Sequence, residues 1–527
     1  MADAPATGGG FPAQDYPTID PTSFDVVLCG TGLPESVLAA ACAAAGKTVL
    51  HVDPNPFYGS LFSSLPLPSL PSFLSPSPSD DPAPSPSPSS AAAVDLRRRS
   101  PYSEVETSGA VPEPSRRFTA DLVGPRLLYC ADEAVDLLLR SGGSHHVEFK
   151  SVEGGTLLYW DGDLYPVPDS RQAIFKDTTL QLREKNLLFR FFKLVQAHIA
   201  ASAAGAAAAG EGEASGRLPD EDLDLPFDGV ESCERLLTTR EGVKTIALYS
   251  SSIGRFANAE GAFIYPMYGH GELPQAFCRC AAVKGALYVL RMPATALLVD
   301  EEKKRYVGIR LASGQDILCQ QLILDPSYEI PSLDMPSDAP VSNLPRKVAR
   351  GICIISSSVR QDTSNVLVVF PPKSLEEEQI TAVRVLQLSS NLAVCPPGMF
   401  MAYLSTPCTD AFTGKKCISK AIDALFSTKV SNDLEDHLEK NSEENKESVK
   451  PTLLWSCVYV QEIIQGTSGT ALSCPIPDEN MDYRSILEST KMLFTDICPN
   501  EEFLPRNSAP KYASDNDSDS AEALYST

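Results

Sequence analysis

The sequence predicts an α/β protein built on a dinucleotide-binding-type sheet of the flavoprotein-like (FAD/NAD(P)-binding-like) class, with a helical domain inserted into it. Three observations carry that expectation. Near the N-terminus, FDVVLCGTGLPESVLAAACAAAGKTVLHVD reads as strand, turn, helix, strand. From Arg171 to Ile199, apolar residues recur at the helical period among charged neighbours. Beyond Tyr306, short apolar runs separated by turn signals return.

In the opening unit, Phe24 to Cys29 forms a buried-type strand and Pro34 suits a first helical turn. The alanines through Ala45 favour helix, Gly46 stops it, and Lys47 to Asp53 supplies the second, parallel strand. A working dinucleotide site requires GxGxxG, with the helix N-terminus facing a pyrophosphate. Gly30 and Gly32 are present, but Glu35 stands at the third position. Its carboxylate suits the helix dipole, fills the space a glycine leaves open and repels a pyrophosphate. The fold is therefore expected without the cofactor. Asp53, placed like a ribose-binding acid, is expected instead to cap the turn that follows.

That turn, Asp53-Pro54-Asn55-Pro56-Phe57-Tyr58-Gly59, is stiffened by two prolines, so its aromatic pair is presented with little entropy to lose. From Ser63 to about Pro101, Ser-Pro repeats dominate, and residues 61–117 are expected to loop out as a disordered insertion. The run Arg97-Arg98-Arg99 is expected to be solvated. Order resumes with a helix around Ala134 to Leu139, then strand-like runs from Val147 to Val167 broken at Gly154-Gly155 and Asp161-Gly162. Residues 171–257 read as the helical domain. Leu180, Leu187, Leu188, Phe191, Phe192 and Val195 give one apolar face, Ala200 to Asp228 a linker, and Val243 to Ile253 a further helix.

The segment IYPMYGHGELPQAFCRCAAVKGALYVLRMP, Ile264 to Pro293, follows. Gly269 and Gly271 permit a sharp bend, Pro274 can open a helix, and Gly285 ends it before the strand Ala286 to Arg291. Gln275 and Arg279 fall four apart, sharing one face beside Glu272. On residue types alone this is a solvated helix surface. Its wording, however, closely resembles the signature of the Rab escort protein and Rab GDP-dissociation inhibitor superfamily, in which YGxGELPQxFxR precedes an alanine-rich turn and a Tyr-bearing strand. DPNPFYG resembles the same superfamily's turn after the second strand, and the likeness spans about Phe24 to Cys498.

The resemblance implies a flavoprotein-like fold that uses no cofactor, and a Rab-binding platform made of Tyr58, Glu272, Gln275, Arg279 and Tyr288. It implies that the helical domain takes up the geranylgeranyl lipid of a bound Rab and docks a prenyltransferase. GVKTIALYSSSIG, Gly242 to Gly254, resembles the docking helix, with Ile246 where some members carry an aromatic anchor and Leu248 and Tyr249 nearby. The implied activity is that of an escort protein, the accessory component of Rab geranylgeranyltransferase. Such a protein binds unprenylated Rab GTPases, in their GDP-bound form, presents them to the catalytic αβ heterodimer and delivers the product through transient membrane contact. The long insertion favours this branch over the more compact GDP-dissociation inhibitors. A flavin-dependent oxidoreductase is the third reading, opposed by Glu35.

Strands are further expected at Tyr306 to Leu311, Ile317 to Leu324, Gly351 to Val359, Val366 to Phe370, Val383 to Leu388 and Met399 to Leu404. Met481 to Ile497 reads as a closing helix, 431–450 as a charged loop and 499–527 as an acidic flexible tail. The 527-residue chain can bury a large core, and its net charge of −24 argues against nucleic acid as a partner. With no long apolar run, no leader and no C-terminal lipidation cysteine, a cytosolic protein is expected. Most of the 14 cysteines sit in apolar runs; the single CxC of Cys278 and Cys280 and the scattered histidines, among them His51, His145 and His146, give no metal pattern. No GxSxG, Walker loop or paired-carboxylate site appears, so no catalytic residue is expected.

Overall fold

A computed structural model describes residues 16–75, 92–168, 171–207, 226–232, 235–259, 261–331, 346–361, 363–428, 450–464 and 471–506. Two eight-stranded sheets share the described chain. The first runs in the order Leu287–Leu290, Val49–Asp53 (β2), Ser23–Cys29 (β1), Asp316–Leu324, all parallel, then continues antiparallel through Arg305–Leu311, Ala294–Asp300 and Ala92–Asp95. Ala471–Ser473 adds to the far end of Asp316–Leu324. This parallel core with an antiparallel wing is the flavoprotein-like arrangement.

Helix α1 (Leu33–Ala44) connects β1 to β2 and is buried on every side from Leu33 to Ala43. The composition explains how: seven of its twelve residues are Ala, Cys or Ser, small enough for the sheet, the helix Glu272–Val283 and the closing helix Arg484–Ile497 to pack around it. The second sheet runs Asp163–Pro166, Thr156–Trp160, Val366–Phe370, Val383–Ser389, Phe400–Cys408, Arg346–Ile355, Leu453–Ile463, Tyr102–Gly109. The helix Ala411–Leu425 covers one face through Cys417, Ile418, Ala421, Ile422 and Leu425. Two fully buried arginines lock this sheet to its surroundings. Arg126 donates to the Asp478 carboxylate and Arg350 to the carbonyls of Val123 and Asp478 and to Gln461 Oε1.

The region read as a disordered insertion, 61–117, is largely built into the fold. Residues 61–75 bury Leu61, Phe62, Leu65, Leu67, Leu70 and Leu74. Ala92–Asp95 and Tyr102–Gly109 supply an edge strand to each sheet. The average Ser/Pro content conceals LPLPSLPSFL, in which proline opens the short helix Leu70–Leu74 while leucines fill the core. Only 76–91 lie outside the described residues. The arginines are engaged as well: Arg98 lies over the Tyr328 ring and Arg99 pairs with Glu462.

Between 171 and 257 the chain forms the helices Arg171–Lys176, Leu182–Ala207 and Thr239–Ser252 and the hairpin Pro226–Ser232 with Arg235–Thr238. The long helix passes the expected stop at Ile199. Thr238 and Glu241 cap the last helix reciprocally. The helix Ala411–Leu425 and the strand Leu453–Ile463 had no counterpart among the expected elements. The strand placed at Gly351 to Val359 begins at Arg346 and ends at Ile355. The acidic tail begins later than 499, because Phe503 and Leu504 are buried, Phe503 against Phe494. Residues 431–449 of the charged loop and everything after Arg506 lie outside the described residues. Among the described residues, no helix is long and apolar enough to cross a membrane.

Candidate functional site: a surface platform above a closed cradle

The cradle that would hold a dinucleotide is tied up by its own side chains. Asp53 Oδ2 accepts from the Thr31 amide (2.8 Å), the Thr31 hydroxyl (2.6 Å) and Ser60 Oγ (2.8 Å), while Oδ1 accepts from Asn55 N (2.7 Å). Asp53 thus caps the turn as expected, and also takes the loop amide that a phosphate would need. Gly59 N donates to Thr31 O, laying the following turn over the glycine loop. Glu35 is buried, and a Cβ built on Gly32 would stand 2.4 Å from Glu35 Oε2 and 3.2 Å from the Phe62 ring. The Glu35 carboxyl lies beside the Cys474 thiol. Burial, and next the neighbouring Asp325, raise its pKa well above the carboxylate range. The side chain thus fills the space as expected, while burial favours its neutral form over the charge that was expected to repel a pyrophosphate as well. The residues present do not fit a dinucleotide.

Above the cradle, the helix Glu272–Val283 buries Leu273, Ala276, Phe277, Cys280 and Ala281, the i, i+3, i+4, i+7, i+8 stripe that faces α1. Glu272, Gln275 and Arg279 occupy the opposite side, the first two half-buried and Arg279 exposed. Strand Leu287–Leu290 pairs with β2 so that Tyr288 lies beside His51. Arg291 N then donates to Asn55 O (3.0 Å), tying the strand's end to the loop that carries Tyr58. Tyr58 is thereby brought to the helix. Burial raises its pKa, Cys278 adds to the rise and the Arg279 charge opposes it. Burial likewise raises Glu272 against the pull of Arg279. Tyr58, Glu272, Gln275 and Arg279 therefore form one surface.

Tyr288 lies beneath that surface. Its ring sits between His51 (centroids 4.8 Å apart) and Tyr58 (6.2 Å), and its hydroxyl is buried, with burial and then Cys278 driving its pKa up. The solvent-facing residue of this strand is Leu287, 40% exposed. Strand alternation carries that signal, since Leu287 and Tyr288 must point to opposite faces.

What holds the platform's entry turn was not legible locally. Asp121 accepts from the His270 amide (3.1 and 3.2 Å), from the Tyr265 hydroxyl and from Ser64 Oγ. Ser64 Oγ in turn lies 2.7 Å from Gly271 N. Gly271 must be glycine there, because a Cβ would meet Ser64 N at 2.6 Å. His270 is buried, which lowers its pKa; Nε2 donates to Arg126 O and Nδ1 accepts from the Tyr483 hydroxyl. Ser64 and Asp121 come from segments far off in sequence, joined by the short pair Ser64–Pro66 and Thr119–Asp121.

In the helical region, Leu180, Glu184, Leu187, Leu188 and Phe191 line an open apolar groove of about 520 Å³. Leu187 is 57% exposed. Of the three residues assigned to docking, Leu248 and Tyr249 turn inward onto the main core, Tyr249 against Phe263 at 5.9 Å. Ile246 is half-buried on the same helix.

A flavoprotein-like fold with a closed cradle and a braced polar platform defines a binding protein of the GDP dissociation inhibitor type. The chain belongs to that family, whose model, described as GDP dissociation inhibitor, matches residues 20–97 and 236–452. It is 45% identical to Rab escort protein 1 of Arabidopsis thaliana, over 94% of this chain and 96% of that protein. It is 25% identical to Rab proteins geranylgeranyltransferase component A 2 of Mus musculus, over 92% and 97%. Among solved structures, a Rab GDI from Plasmodium falciparum superposes with a TM-score of 0.62 at 18% identity, covering 91% of this chain and 99% of that one. This last likeness concerns the fold.

Proposed function

We propose that the protein is a Rab escort protein, the accessory subunit that presents unprenylated Rab GTPases to the αβ Rab geranylgeranyltransferase and carries the product to membranes. The observation that supports this reading most is the convergence of Tyr58, Glu272, Gln275 and Arg279 on one braced surface, in a chain that aligns nearly end to end with an escort protein. A surface with an exposed cation, a half-buried acid and an aromatic has the composition of a protein-binding patch. Tyr288 supports Tyr58 from below. Chemistry would belong to the transferase. The GDP-bound Rab is the expected partner state, and the groove along Leu180, Leu187, Leu188 and Phe191 offers an apolar lining for the geranylgeranyl chain.

The platform is tested by calorimetry with a purified Rab. Arg279→Glu is expected to weaken binding by one to several kcal/mol, about the cost of reversing a partly buried interface charge, with Tyr58→Ala acting in the same direction. Both variants should melt like the wild type. Unchanged affinity in both would contradict the platform.

A further inference from the structure

Two exposed side chains bracket the platform on strained backbone. Tyr268 has φ +70° and Arg291 φ +58°, the left-handed region that glycine occupies without cost. Tyr268 is the one aromatic residue at positive φ among the described residues. The residue is 57% exposed, so packing within the chain does little to offset the strain. Arg291 is exposed as well.

Both backbones are fixed on either side. Met267 N donates to Glu148 O (2.9 Å), Tyr268 N to Leu392 O (2.9 Å), and His270 N to Asp121. At the other flank Arg291 N donates to Asn55 O and Met292 N to Asp53 O (2.9 Å). Tyr268 thus stands four residues ahead of Glu272 in the turn that opens the platform helix, and Arg291 is bonded to the loop that presents Tyr58. Strained residues held by an over-determined surrounding cluster at functional sites. Tyrosine and arginine are also the side chains that dominate binding energy at interfaces, and rigid presentation lowers the entropy lost on contact.

We propose that Tyr268 and Arg291 are further partner-contacting residues, extending the platform on both flanks; this rests on the reading that the platform binds a Rab GTPase. The test sets stability against affinity in the full chain. In Tyr268→Gly and Arg291→Gly the new residue suits the backbone, so each variant should melt no lower than the wild type. Each should nonetheless bind a purified Rab at least about tenfold more weakly by calorimetry. Unchanged affinity in both, while Arg279→Glu still loses binding, overturns the inference and leaves the platform standing. If Arg279→Glu and Tyr58→Ala also bind normally, the platform reading itself falls. A sharp drop in melting temperature for the glycine variants would show that these side chains serve the fold, and would overturn the inference too.

Discussion

Glu35 shows how one residue can close a site, and its protonation makes the closure measurable. The folded chain retains the Glu35 proton at pH values where the unfolded chain has lost it, because burial raises the folded pKa. Its contribution to stability is therefore complete below the ordinary carboxylate range and declines as pH rises above it, by about 1.4 kcal/mol per pH unit for one group. Glu35→Gln removes that decline. Above the ordinary carboxylate range, the variant's unfolding free energy should fall less steeply with pH than that of the wild type, as measured by urea titration at a series of pH values. An identical pH dependence would mean that Glu35 ionises freely. Purified protein should also be colourless, and a stoichiometric flavin absorbance would revive the oxidoreductase reading. The sequence revealed that the third glycine was missing. It did not reveal the burial of Glu35 or the approach of Asp325, which raise its pKa and come only with the fold.

At the scale of elements, periodic patterns were legible and brace contacts were not. The βαβ opening, the platform helix and the hairpin Arg305–Leu311 with Asp316–Leu324 each carry their signal within about ten to thirty residues. Residues 61–75 were misjudged because composition was averaged over a long Ser/Pro stretch. The correction has a direct test. Leu74→Ala should cost about 2 to 5 kcal/mol, as a buried leucine does, whereas replacing residues 77–90, which hold no large apolar side chain, with an equally long Gly/Ser stretch should leave the melting temperature unchanged. A stable Leu74→Ala variant would contradict the packing seen here. On the helix Thr239–Ser252, Tyr249→Asp should unfold the junction, since its ring packs on Phe263. Ile246→Asp should instead impair prenylation while preserving Rab binding. Loss of both activities and of the helical fold in Ile246→Asp would place Ile246 in the core.

Across the whole molecule, two features suit a dinucleotide-type sheet topology to the protein recognition proposed for it. The cradle is filled from within by Glu35, Thr31, Asp53 and Ser60, and the surface above it is stiffened by Asp121, Ser64 and His270. The sequence made the platform residues nameable through their spacing and wording. It could not show that Tyr288 lies beneath them, because that depends on the pairing of its strand with β2. The central claim, that the chain is an escort protein, is tested most directly by reconstituting prenylation with the full-length protein, a purified Rab, the αβ transferase and geranylgeranyl diphosphate. The account predicts that Rab is geranylgeranylated only when this protein is added, and that Arg279→Glu slows the reaction at limiting escort concentration. Tight Rab binding without prenylated product, across a range of transferase concentrations, would contradict it and leave a GDP-dissociation inhibitor in its place.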